Sequence, residues 1–325
     1  MHMADALLSP AVGITMDIVS IGAIAYSMIG KNKITEQRIP MMGVMGAFVF
    51  AAQMINFSIP GTGSSGHIGG GILLAALLGG GPALLTLTAV LLIQCFFFAD
   101  GGLLALGCNI FNMGVCTCLV GYPLIFRPLC KGRLSPGRLS IACILSVIVS
   151  LQLGSLGVVL ETVFSGTTQL PFSAFFLLMQ PIHLAIGLGE GLVTAAVLCF
   201  VLRTRPELLE VSSSSARPAF SKRAAALFLA AALVVGGGLS YIASSHPDGL
   251  EWSIEKITGT ADLQRNGDAH QTAAELQDKT ALMPDYALGE KEHTTGLAGI
   301  TGGIMTLGLA ALLGGGITLL KRRKQ

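Results

Sequence analysis

Ile141-Ala142-Cys143-Ile144-Leu145-Ser146-Val147-Ile148-Val149-Ser150-Leu151-Gln152-Leu153-Gly154-Ser155-Leu156-Gly157-Val158-Val159-Leu160 runs from end to end without a charged residue. About 20 such residues, rising ~1.5 Å each as a helix, cover the ~30 Å of hydrocarbon in a bilayer. The apolar side chains fall on all faces and do not alternate, so the segment reads as a lipid-spanning helix and not as a barrel strand. Ala224–Gly238 has the same character. With 52% hydrophobic and 12% charged residues and 42 glycines in 325 positions, the chain has too little polar surface to cover a water-soluble globule. The formal net charge of +2 offers no argument for a nucleic-acid partner, and none is expected.

The pattern predicts an all-α, polytopic transmembrane bundle of about seven helices plus two more in a C-terminal module. The expected spans are 8–29, 40–58, 67–80, 82–99, 105–126, 139–162 and 172–202, then 223–244 and 295–320. The third, flanked by Gly69-Gly70-Gly71 and Gly79-Gly80-Gly81-Pro82, is short and partly re-entrant in this reading. Residues 1–202 form the core, 203–222 (with Ser212–Ser215 and Pro218) a cytoplasmic linker, and 223–325 the module. Basic residues cluster at Lys31/Lys33/Arg38, Arg127/Lys131/Arg133/Arg138, Arg203/Arg205/Arg217/Lys222/Arg223 and Lys321/Arg322/Arg323/Lys324, which the positive-inside rule assigns to the cytoplasm. Met1, the 59–66 loop, Asp100 and the region of about 245–293 then face outward, and the C-terminus faces the cytoplasm. That outward region, which carries His246, His270 and His293, reads equally as a folded cap or a loose loop. The seven cysteines, without a C-x-x-C pair, read as packing residues in apolar segments.

Residues 1–10 lack the basic start and cleavage site of a signal peptide, so Met1 is expected to survive, and His2 is too large to favour its removal. A free α-amine, the amide of residue 2 and its imidazole can chelate one metal through fused five- and six-membered rings. This set favours square-planar nickel(II) or copper(II), and cobalt(II) after them, over tetrahedral zinc; one further imidazole completes four nitrogens. His67 is the natural fourth donor, because it follows the turn-rich Gly61-Thr62-Gly63-Ser64-Ser65-Gly66 loop on the same expected face.

Met1-His2, Asp5 and Leu8-Ser9-Pro10 resemble the CbiM/NikM family of energy-coupling-factor cobalt and nickel importers. So do Pro40-Met41-Met42-Gly43-Val44, Phe48–Phe57, Gly66-His67 with Gly69-Gly70, Phe98-Ala99-Asp100-Gly101-Gly102, and Leu106-Gly107 with Asn109, Phe111-Asn112-Met113. The resemblance spans roughly residues 1–202, with Ala4 and Ala6 where the family usually has Pro and Gly. It implies that the Met1 amine, the His2 amide and imidazole, and the His67 imidazole hold Ni(II) or Co(II) as transported substrate. It also implies a transmembrane coupling subunit and ATP-binding subunits as partners, in a bacterial or archaeal cell membrane. Pro247-Asp248-Gly249-Leu250-Glu251 resembles the PDGLE-type accessory component often encoded beside nickel transporters, which tilts the reading toward nickel.

Asp5, Asn56, Asp100, Asn109 and Asn112 are candidates to hold the N-terminal loop or orient the imidazoles, against ordinary capping and interhelical hydrogen bonding. His183 and Glu190, seven residues apart in one span, share a helix face and mark either an exit path or a packing pair. They are also where an ion-coupled secondary transporter would centre; a membrane metal sensor or scaffold is the other rival. The sequence has no G-x-x-x-x-G-K-[ST] phosphate loop and no H-E-x-x-H, so it is read as a transport component and not an enzyme.

Overall fold

Ser9 and Pro10 start the first long helix: the Ser9 hydroxyl accepts from the Val12 amide at 3.4 Å, and Pro10 fits the first helical position. This helix, α1 (Pro10–Ser27), leaves Ile14, Ile18 and Ile21 at 54%, 66% and 65% exposure, an apolar stripe suited to lipid. The computed structural model describes residues 1–28, 34–209, 211, 220–261, 263, 267–288 and 294–322. Lys31, Lys33, Ser212–Ser215, Arg217, Pro218, His293, Arg323 and Lys324, on which some of the expectations rest, lie outside them.

After α1 come α2 (Ile39–Gln53), an antiparallel hairpin of β1 (Phe57–Ile59) and β2 (Ser64–Gly66), α3 (Gly71–Leu78) and α4 (Gly80–Phe98). They are followed by α5 (Leu106–Leu129), α6 (Pro136–Ser165) and α7 (Phe172–Thr204). Then come α8 (Lys222–Gly237), α9 (Gly249–Thr258), α10 (Asp268–Thr280) and α11 (Thr295–Arg322). Among the described residues, seven helices are long and apolar enough to cross a membrane: α1, α4, α5, α6, α7, α8 with its 3-10 continuation to Ile242, and α11. The chain is a transmembrane helical bundle.

The spans expected at 40–58 and 67–80 are shorter than a bilayer. At 15 residues, α2 gives way to the hairpin; at eight, α3 begins only after Ile68-Gly69-Gly70 has run without helical bonding. Both are almost wholly buried, so neighbouring helices and not lipid cover their ends. Most of α5, Ile110–Phe126, is wound with π-type bonding, which no periodicity in the sequence announces.

The module packs on the core through α8 and α11, which both lie against α2. Gly236 and Gly299 let α8 and α11 approach closely: a Cβ at Gly299 would stand 2.8 Å from the Gly236 carbonyl oxygen. The region of about 245–293 contains a folded cap, with α9 against α7 and β2 and α10 against α4. His270 Nε2 meets the Leu8 carbonyl at 2.8 Å, so this histidine fastens the cap to the N-terminal segment.

Candidate metal centre

The first eight residues are held by backbone recognition before any metal chemistry enters. Asn109 grips Met3 from both sides, its Oδ1 accepting from the Met3 amide at 2.7 Å and its Nδ2 donating to the Met3 carbonyl at 3.3 Å. The Gly102 amide also donates to that carbonyl, at 2.8 Å. One Asp5 carboxylate oxygen accepts from the Leu104 and Ala105 amides at 2.8 and 3.1 Å. The N-terminal segment is thus pinned along the turn between α4 and α5, which fixes where Met1 and His2 must lie.

The Met1 amine lies 3.3 Å from His67 Nε2 and 2.6 Å from Asp248 Oδ2. His67 Nδ1 is 3.2 Å from the Ile68 carbonyl, which can only accept, so the proton sits on Nδ1 and the Nε2 lone pair faces the amine. Burial, followed by the charge of the amine, pushes His67 down to about 3, so it is a bare imidazole at neutral pH. Burial works against the Asp248 carboxylate, but the adjoining ammonium outweighs it and holds Asp248 below the usual carboxylate range.

The His2 ring lies nearly parallel to that of His67, with planes 14° apart and centroids 5.3 Å apart. Its Nδ1 is 3.2 Å from Asp100 Oδ1, and its Nε2 is 3.2 Å from Gln94 Oε1. Burial lowers its pKa, against the opposing pull of Asp100. Gln94 then donates to Gln53 Oε1 at 2.8 Å, and Gln53 to the Gly69 carbonyl at 3.0 Å, an amide chain from His2 to the segment after His67. Asp100 is brought to the ring by Ala99, whose left-handed φ of 53° costs about 1–2 kcal/mol. The Tyr286 hydroxyl donates to the other Asp100 oxygen.

The arrangement suits a planar nitrogen set. Two nitrogens each ~2.0 Å from one metal stand ~2.8 Å apart when cis, and the amine and His67 Nε2 are within about half an ångström of that separation. In the tautomer that keeps Nε2–H on Gln94, His2 Nδ1 is the nitrogen available for the six-membered chelate ring, and Asp100 stands where it must give way.

Among the expected supporting residues, Asp5 and Asn109 hold the N-terminal segment and Asp100 touches His2. Asn112 donates to Glu161 at 2.7 Å and reaches only the sulfur of Met3, at 3.8 Å. Asn56 is half-buried beside the site, and its backbone carbonyl accepts from the Ser244 amide at 2.8 Å. Gln94, Gln53, Tyr286 and the ion-pairing role of Asp248 were not anticipated. An amide-bearing side chain inside each of two apolar runs, Phe48–Gln53 and Leu91–Phe98, was the available signal for the glutamines.

Four of the five positions of the Pro247–Glu251 signature have a structural task. The Pro247 carbonyl accepts from the Ser65 amide at 2.8 Å, joining the module to β2. Asp248 caps α9 through Oδ1, accepting from the Leu250 and Glu251 amides at 2.8 and 2.9 Å, while its other oxygen holds the Met1 amine. Glu251 closes the capping box by accepting from the Asp248 amide at 3.1 Å, and Leu250 is buried. Between module and core lies a cavity of about 730 Å³, lined by His2, His67, Asp100, Asp248, Glu251 and Tyr286 among others. Its carboxylates give it a negative potential suited to a cation.

The sequence profile described as the cobalt uptake substrate-specific transmembrane region, CbiM, matches residues 2–208, and that of the PDGLE domain matches residues 222–319. The chain is 29% identical over 324 residues to a putative fused nickel transport protein NikMN of Archaeoglobus fulgidus, covering 96% of this chain and 98% of that one. It is 30% identical over 280 residues to a fused nickel transport protein NikMN of Rhodobacter capsulatus, covering 80% and 78%. A crystal structure of a transition metal transporter superposes with a TM-score of 0.55 at 28% identity, covering 63% of this chain and 93% of that one.

Proposed function

Because the chain belongs to the CbiM family of cobalt uptake substrate-specific transmembrane regions and carries a PDGLE domain behind that region, we propose that it captures nickel(II) or cobalt(II) for import. The ligands in this reading are the Met1 amine, the His2 amide and imidazole, and the His67 imidazole. The observation that carries it is the convergence, within 3.3 Å, of an N-terminal amine and an imidazole lone pair that are 66 residues apart in sequence. A buried amine and imidazole need not meet for packing alone, and here each is held by partners of its own.

Uptake against a gradient requires energy, and the sequence has no phosphate loop to supply it. The chain is therefore the substrate-capture component of an ATP-driven transporter, working with a transmembrane coupling subunit and ATP-binding subunits. It sits in a bacterial or archaeal cell membrane with Met1 and the cap outward. Nickel is the favoured cargo, because the fused relatives are named as nickel transport proteins.

The test is nickel and cobalt calorimetry on the purified chain starting at Met1-His2, beside the same chain with one residue added before Met1. Loss of tight binding on extension, with thermal stability retained, is the expected result. Unchanged affinity would remove the amine from the site.

A further inference from the structure

Among the described residues, three that are not glycine have a left-handed φ: Ala99 at 53°, Asp285 at 49° and Tyr286 at 61°. L side chains rarely adopt that conformation, and each instance needs neighbours that hold it there. All three border one hydrogen bond, from the Tyr286 hydroxyl to Asp100 Oδ2, which ties the module to the core beside His2. Backbone strain of this kind gathers at functional sites, where the surrounding structure over-determines it.

The turn that carries Tyr286 is seated without the help of that hydroxyl. The Leu282 and Met283 amides both donate to the Phe97 carbonyl, at 2.9 and 3.1 Å, and Met283 is buried. The Tyr286 ring stacks on Phe98, with centroids 4.9 Å and planes 21° apart, and meets Phe50 edge-on at 6.4 Å. A benzyl side chain without the hydroxyl would make the same ring contacts, so packing does not account for the phenol. Burial, then the charge of Asp100, raises the Tyr286 pKa well above its usual range, so the hydroxyl keeps its proton and donates.

On its other side Asp100 competes with the cargo. Its Oδ1 is 3.2 Å from His2 Nδ1, the nitrogen assigned above to the chelate ring, while His2 Nε2 is engaged with Gln94. An ion arriving at Nδ1 displaces Oδ1, and a carboxylate freed altogether would return to the ring or enter the coordination of the metal. We propose that Tyr286 is a positioning residue of the metal centre: its hydroxyl keeps Oδ2 while Oδ1 is released from His2. Asp100 then turns aside on a tether and holds its negative charge beside the bound cation. Through this contact the module acts on the geometry of a ligand as well as covering the cavity. The inference rests on the capture reading above.

The test is nickel calorimetry with visible absorption on the full chain, unaltered and as Tyr286→Phe, Asp100→Asn and Tyr286→Phe/Asp100→Asn. Tyr286→Phe is expected to lower nickel affinity roughly fivefold, short of the ~10–100-fold typical of partners that touch a ligand directly. The absorption bands should stay in place and the unfolding temperature should hardly change. In the Asp100→Asn background the same substitution should cost nothing further, because the charge it redirects is gone. Should Asp100→Asn fail to fold, Tyr286→Leu takes its place: it also lacks the hydroxyl, and affinity should fall no further than in Tyr286→Phe. Unchanged affinity in Tyr286→Phe, an equal loss with and without the Asp100 carboxylate, or a much larger loss in Tyr286→Leu would overturn the proposal and leave Tyr286 as an anchor of the cap. Shifted bands in Tyr286→Phe would overturn it as well, by making the phenol a ligand. Tight binding that persists when a residue is added before Met1 would instead overturn the capture reading, whatever Tyr286→Phe does.

Discussion

At His67 a single hydrogen bond to the Ile68 carbonyl decides which nitrogen keeps its lone pair, the one proposed above as a metal ligand. His67→Ala and His2→Ala are each expected to cost more than the ~10–100-fold that loss of an outer-shell partner typically costs, read by calorimetry. Gln94→Leu should fall inside that range, because it strips the imidazole of its acceptor and breaks the amide chain to Gly69. The acid response also has a sign. With His67 pushed down to about 3, the folded chain binds fewer protons than the unfolded one, so metal-free stability falls as pH drops from about 6.5 toward 3. Asp248, held low, loses its contribution only as pH falls below about 3.9. Thermal unfolding between pH 7.5 and 4 checks this, and His67→Asn should flatten the curve. The three proposed ligand residues were legible in the sequence because a histidine at position 2 and another behind a Gly/Ser loop announce themselves locally. Gln94 and Asp248 were not, because what makes them site residues is contact with His2 and Met1, 92 and 247 positions away.

Among the elements, the long helices follow from uninterrupted apolar runs. The shortness of α2 and α3 does not, because residues buried by neighbours and residues buried by lipid have the same composition. The π winding of α5 likewise left no trace in the apolar pattern. The close crossing of α8 and α11 is the element most open to test. Gly299→Leu must push against the Gly236 backbone, an overpacking that typically costs about 1–3 kcal/mol. The expected outcome is a lower unfolding temperature and faster proteolysis between α8 and α9. Asp248→Ala removes the cap of α9, worth about 1 kcal/mol, together with its contact to the amine, and should raise hydrogen exchange in α9 while leaving α6 and α7 unchanged.

For the whole molecule, the module covers the cavity that leads to His2 and His67. A chain ending at residue 208 is expected to keep equilibrium metal binding within about tenfold but to gain and lose metal faster, with stopped-flow rates as the measurement. Retained slow exchange would mean that the cap does not limit access. The contact between Met1 and Asp248 also has a consequence for the order in which the protein is made. At about 5–20 residues per second, on the order of 12–50 seconds separate the synthesis of these two residues. During that interval Met1 is without its carboxylate, because α9 has not yet been made to present it. Met1 is therefore among the last residues to find its native neighbour, and whatever guards nascent membrane proteins must keep that segment available until most of the polypeptide has been translated.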